Sequence, residues 1–136
     1  MFFKRDKDKE ENNNLIKVAA LLIHAAKIDE NYSNKEEEII KKALLKIGAN
    51  DENVKNILQA GKTMEDNTNQ ILDFTREVKN MNENDKIKII ETLWQIIYSN
   101  NEADIYEANL MRRLAGLLYI DSKTMGDIKN KVKKNL

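Results

Sequence analysis

The sequence predicts an all-α, single-domain protein, and three observations carry that expectation. There is no Pro and only four Gly among 136 residues, so little interrupts a helix. Charged residues make up 34% of the chain, as when many helices each keep one face in water. Apolar residues recur at helical spacing almost throughout, and no run alternates apolar and polar residues between turns. The length suits one domain with a core of its own.

The first predicted helix spans about Asn14 to Ile28. Leu15, Val18, Ala19, Leu22 and Ala26 form one stripe, and Ile16, Ala20, Ile23 and Ala25 widen it. So broad an apolar face marks a central helix. The second spans about Asn34 to Ile47, with Ile40, Ala43, Leu44 and Ile47 inward and Gly48 as its stop. A short third spans Glu52 to Ala60 and is ended by Gly61. The fourth spans about Met64 to Lys79 on Ile71, Phe74 and Val78. The fifth spans about Asn84 to Ser99, with Ile87, Ile90, Leu93, Trp94 and Ile97 inward. The sixth spans about Ile105 to Leu118, with Ala108, Met111, Leu114, Ala115 and Leu118 inward. The seventh starts after Asp121 and holds Met125, Ile128 and Val132.

Residues 1–13 read as a flexible N-terminal leader and residues 14–136 as the helical domain. The leader carries four basic and four acidic side chains and no apolar signal core. A weak surface anchor through Met1, Phe2, Phe3, Lys4 and Arg5 is its functional alternative. No stretch approaches 18 uncharged apolar residues, so no membrane span is expected. The cytoplasm is the expected location, with peripheral membrane association as the variant.

Several function classes drop out on composition. Zero net charge argues against a nucleic-acid binder. With no Cys there are no disulfides, thiolate nucleophiles or Cys-ligated metals. The single His, His24, lies among Leu21, Leu22, Ile23 and Ala25 without a Ser or Cys partner pattern, and reads as a packed or surface residue. Trp94 and Tyr98 stand four apart and read as a core aromatic pair, a ligand slot being the alternative.

Shifting the sequence by 71 positions aligns Leu21–Gly48 with Thr92–Tyr119. Each copy is a helix, a polar link of about five residues and a second helix, which is an αα-hairpin. Two hairpins can cover each other about a pseudo-two-fold axis. The expected fold is therefore a compact bundle of about seven helices built from two pseudo-symmetric αα-hairpins.

The links carry the functional question. The first runs from Asp29 to Glu36 and the second from Asn100 to Glu107. Oxygen-bearing side chains hold positions one, three, five and eight of both: Asp29, Asn31, Ser33 and Glu36, then Asn100, Glu102, Asp104 and Glu107. Alternating oxygens closed by a later Glu resemble a calcium loop, although the links are too short for an EF-hand and lack its glycine. Helix capping is the competing reading. Ser33-x-x-Glu36 is a capping box and Asp104-x-x-Glu107 its Asp variant. Capping explains positions five and eight but not the other four residues. Any cation here would be hard and oxygen-loving, calcium or magnesium before zinc.

An apolar helix, an acidic link, a Glu and a second helix, occurring twice, resemble the TerB-like tellurite-resistance family. That family shares its fold with the N-terminal domain of the DjlA co-chaperone. The resemblance covers roughly Leu15 to Lys133. It lands on Asp29 and Glu36 in the first copy, and on Asn100, Asp104, Tyr106 and Glu107, followed by Arg112 and Arg113, in the second. Where the family has Gly after the first Asp, Glu30 and Asn101 stand here, and Asn100 replaces the second Asp. The resemblance implies a non-enzymatic role in stress responses, with metal sensing and membrane-associated complexes.

Charge is unevenly placed. Asp29 to Glu38 holds five acids and one base, and Lys123 to Lys134 holds five lysines against Asp127. An acidic patch and a basic tail suit a polarised docking surface, and solvated helix faces explain them too. Glu37, Arg112 and Arg113 are the candidate partner-binding residues, the arginines alternatively pairing with a carboxylate such as Glu91. Three functions compete: a stress-response module binding a protein partner and a cation through the links, a purely structural adaptor, and an enzyme using paired carboxylates.

Overall fold

The protein is described from a computed structural model covering residues 2–27, 33–67, 72–99 and 105–135, with side chains throughout except at 2–12, 72, 73, 77 and 105–107. Seven helices follow one another: α1 Phe2–Ala26, α2 Asn34–Ile47, α3 Val54–Asp66, α4 Leu72–Lys79, α5 Glu83–Tyr98, α6 Ile105–Leu117 and α7 Ser122–Lys134. No strand occurs among the described residues. Nor is any described helix long and apolar enough to cross a membrane.

Helix α1 is the centre. Val18, Ala19, Ala20, Leu21, Leu22 and Ile23 are all fully buried, so this segment has no side left for water. Such a helix must be enclosed, and α3, α4, α2 and α5 all pack on it. Fully burying one Leu or Ile is worth about 1.5–3 kcal/mol. Phe74 of α4 and Ile89, Ile90 and Leu93 of α5 complete the core, and α7 adds Met125, Ile128 and Val132.

Most helix ends follow local chemistry. Ser33 caps α2: its hydroxyl accepts from the Glu36 amide at 3.2 Å, and Oε1 of Glu36 accepts from the Ser33 amide at 3.2 Å. Gly48 ends α2 with φ +143°, a conformation that favours glycine. Asn82 and Asp121 cap α5 and α7 by accepting from the amides of Asp85 and Thr124. At the end of α6, Tyr119 takes φ +58° and the Ile120 amide reaches back to the Ala115 carbonyl at 2.9 Å. The buried Lys86 ammonium donates to the Leu118 carbonyl at 3.2 Å, placing a cation on that C-terminus.

The boundaries of α1, α3 and α4 differ from the sequence reading. Helix α1 starts at Phe2 rather than near Asn14. Residues 4–11 are mostly good helix formers, and a helix already nucleated by its buried half extends cheaply. Helix α3 starts at Val54, not Glu52, because the Asn50 side chain accepts from the amides of Glu52 and Asn53 and holds a turn there. Gly61 does not end α3. It sits within the helix, buried against α1, and Met64 belongs to the last turn of α3 rather than to α4. A Cβ on Gly61 would stand 2.7 Å from the Ala19 Cβ and 3.2 Å from the Ala20 nitrogen. Glycine here permits close helix approach.

The packing repeats in part. Helix α1 packs on α3 and α5 on α7, as two copies would require. Helix α2, however, packs on α5, whereas α6 packs on α4. The expected pseudo-two-fold relation is not established among the described residues.

Two alanine substitutions separate propensity from packing. On propensity alone each Gly→Ala change should stabilise by about 1 kcal/mol. Gly116→Ala, with nothing within 4 Å of a new Cβ, should gain close to that amount in urea unfolding. Gly61→Ala should instead lose about 1–3 kcal/mol from overpacking, and Ala19→Gly in the same chain should recover part of the loss.

Candidate functional site

The structure locates the borders of the two links. Asp29, Asn31, Asn100, Glu102 and Asp104 lie outside the described residues, as does the side chain of Glu107. Ser33 and Glu36 are described, and they form the reciprocal cap. Glu36 is only 1% exposed, and its Oε1 also accepts from the Ser33 hydroxyl at 3.0 Å. These two oxygens are therefore engaged with each other.

The two links border one end of the bundle. The Lys35 ammonium donates to the Ser99 carbonyl at 3.4 Å. Lys35 follows the first link and Ser99 precedes the second, so the start of α2 lies against the end of α5. At the opposite end the Lys88 ammonium donates to the Lys46 carbonyl, also at 3.4 Å. Lys35 and Lys46 are as far apart on α2 as Lys88 and Ser99 are on α5. The helices therefore run antiparallel in a fixed register. Each lysine lies on the carbonyl end of the other helix, the favourable end for a cation.

A charged cluster holds the last turn of α1 before the first link. The Lys27 ammonium lies 2.8 Å from Oε2 of Glu65 and 2.9 Å from Oδ1 of Asp66. His24 Nδ1 lies 3.4 Å from the other Glu65 oxygen, and its ring tilts on Phe74 at 6.2 Å between centroids. Hydrogen bonds to Glu65 and then Asp66 raise the Lys27 pKa above its ordinary value. His24, expected to be packed or at the surface, is a half-buried residue tied to Glu65 of α3.

The described part of the acidic stretch presents less open charge than its composition implies. Of its described acids, Glu36 is buried, Glu37 pairs with Lys62 of α3, and Glu38 is exposed. Arg112 and Arg113 are exposed on α6. Glu91 does not take either arginine; its carboxylate lies 3.0 Å from Lys131 of α7. Trp94 and Tyr98 stack in the core, with centroids 5.9 Å apart and planes 22° apart. Lys129 stands 5.3 Å over the Trp94 ring. Burial raises the Tyr98 pKa. The Trp94 indole N–H is buried without a hydrogen-bond partner.

Among the described residues no three His, Cys, Asp or Glu side chains come together as a metal-binding group. Sequence reasoning found the Ser33–Glu36 cap from its spacing. It missed Lys35, whose role depends on a carbonyl 64 residues away and leaves no signature in local periodicity. It also missed Glu65 and Asp66, which the assignment of Gly61 as a stop had placed in a different helix.

A family model described as tellurite resistance protein TerB matches residues 15–130. Neither the curated proteins nor the solved structures compared with the chain contain a match.

Losing the α2 cap through Ser33→Ala should cost about 1 kcal/mol in urea unfolding, with the helical circular dichroism retained. Alkaline stability has a definite sign. Lys27 and Tyr98 hold their protons in the fold beyond the ordinary 10.5 and 10.0. The unfolded chain therefore releases them first, and stability falls as pH rises past those values. Urea midpoints measured from pH 9 to 11.5 should decline, and the decline should be shallower in Lys27→Met and in Tyr98→Phe.

Proposed function

The chain belongs to the TerB family, and from that premise we propose a non-enzymatic, tellurite-resistance-type stress-response module that binds a protein partner and a divalent cation through its two links. The observation that supports a single shared site is the Lys35–Ser99 hydrogen bond, which sets the borders of both links side by side. Donors from the two links can then serve one ligand, although the links are far apart in sequence.

The donor chemistry favours a hard cation. The links offer carboxylates and carboxamides, with no Cys or His among them, and such oxygens suit calcium or magnesium. Ser33 and Glu36 shape the first link through their cap. Asp29, Asn31, Asn100, Glu102, Asp104 and Glu107 would supply the ligating oxygens. The protein partner would read the surface beside this end, with Glu37 exchanging its Lys62 bridge and Arg112 and Arg113 offering exposed charge. The setting is cytoplasmic, with association at a membrane periphery through such a complex.

One observation favours a second reading. The Ser33–Glu36 box satisfies the start of α2 without any ion, as in a purely structural adaptor. Amide NMR of the metal-stripped chain separates the two. Titration with calcium, then magnesium, then zinc should give saturable shifts centred on residues 29–36 and 100–107, strongest with the first two ions. Asp29→Ala and Asp104→Ala should weaken them while leaving the rest of the spectrum in place. An unchanged spectrum at millimolar calcium would favour the adaptor.

A further inference from the structure

We propose that the valley between α2 and α5 is a docking groove for an acidic amphipathic helix of a partner protein. Cross-helix lysine bonds tie α2 to α5 toward either end of the valley. Between them lies an open cavity of about 280 Å³, lined by Ile39, Ala43 and Thr92 together with Lys42, Lys46 and Lys88. Lys42 and Lys46 are exposed and have no ion-pair partner among the described residues. The groove's own carboxylate, Glu91, is already held by Lys131, and Asp85 stands 3.8 Å from Lys88. Net positive charge therefore surrounds a lining that is apolar at Ile39 and Ala43 and uncharged at Thr92 and Gln95.

That pairing of features selects the occupant. A helix with one apolar stripe and acidic flanks would seat the stripe on Ile39 and Ala43 and set its carboxylates against lysines on both rails. A small anion fits less well. The lining comes from helix interiors, whose amides are already bonded, so no helix N-terminus or backbone nest faces the cavity. A membrane is flat and would meet the rails without entering the cavity. On its α7 side the groove is bounded by the Glu91–Lys131 ion pair. The inference does not depend on cation binding at the links.

The test uses the full chain, isotope-labelled, and two acetylated peptides of Leu and Glu. One sets its leucines at helical spacing, and the other scrambles the same composition. The spaced peptide should give saturable shifts confined to residues 39–46 and 88–95. Lys42→Gln/Lys46→Gln should weaken binding at least about tenfold, whereas Lys133→Gln/Lys134→Gln on α7 should weaken it less than about twofold. The helical circular dichroism of both variants checks their folding. Equal binding of the scrambled peptide, equal loss in both variants, or no saturable shift would overturn the proposal. So would sedimentation with phosphatidylglycerol vesicles, or dimer formation, that depends on Lys42 and Lys46, since the groove would then serve a lipid surface or a second copy.

Discussion

The rest of the molecule depends on the enclosure of one helix that has no polar side. From Val18 to Ile23 every side chain of α1 is buried, so water must be excluded around its whole circumference. A single partner helix cannot do this, and four pack against it. Close approach is the second half of the constraint. Gly61 of α3 removes the Cβ that would strike Ala19, so that small residues meet at the tightest crossing. Interior packing of this density transmits small volume changes as strain, which makes Gly61 a structural requirement rather than a helix stop.

Around that core, charge positions the ends of helices. Lys35, Lys88 and Lys86 each place an ammonium on a carbonyl at the C-terminal end of another helix. Lys86 is buried while it does so, whereas the other two work at the surface, where each bond adds little to stability. Their consequence is geometric. The packing of α2 on α5 makes the two helices antiparallel, and the two surface lysines tie that register at either end, where the borders of the two acidic links meet at one of them. The same pair of helices then carries the described borders of the links at that end and the lysine-lined valley along its length. An acidic region and a basic groove coexist in a chain with no net charge.

The legible parts of the fold were those with local causes. Helix α2 was readable from Asn34 to Ile47 because a capping box opens it, an apolar stripe fills it and Gly48 closes it. Asp121 announced α7 in the same way. Gly61 misled because the same residue type serves as a stop and as a close-contact spacer, and only the position of Ala19 distinguishes them. The start of α1 misled because polar composition resembles a leader, while a helix anchored by its buried half runs through such residues. In the candidate site, the Ser33–Glu36 spacing was legible. The meeting of Lys35 with Ser99 was not, since it belongs to the packing of α2 on α5.

One ion shared by both links at one end of the bundle is the function proposed for this protein. Paramagnetic broadening by manganese, a hard divalent ion with the same liking for oxygen ligands, tests it most directly. Substoichiometric manganese added to the metal-stripped chain should broaden the amides of residues 33–36 and 96–99 together, and excess magnesium should reverse the effect. The amides of residues 84–88, about three to four helical turns away along α5, should stay sharp. Broadening at only one link border, or centred on the far end of α5, would contradict the claim.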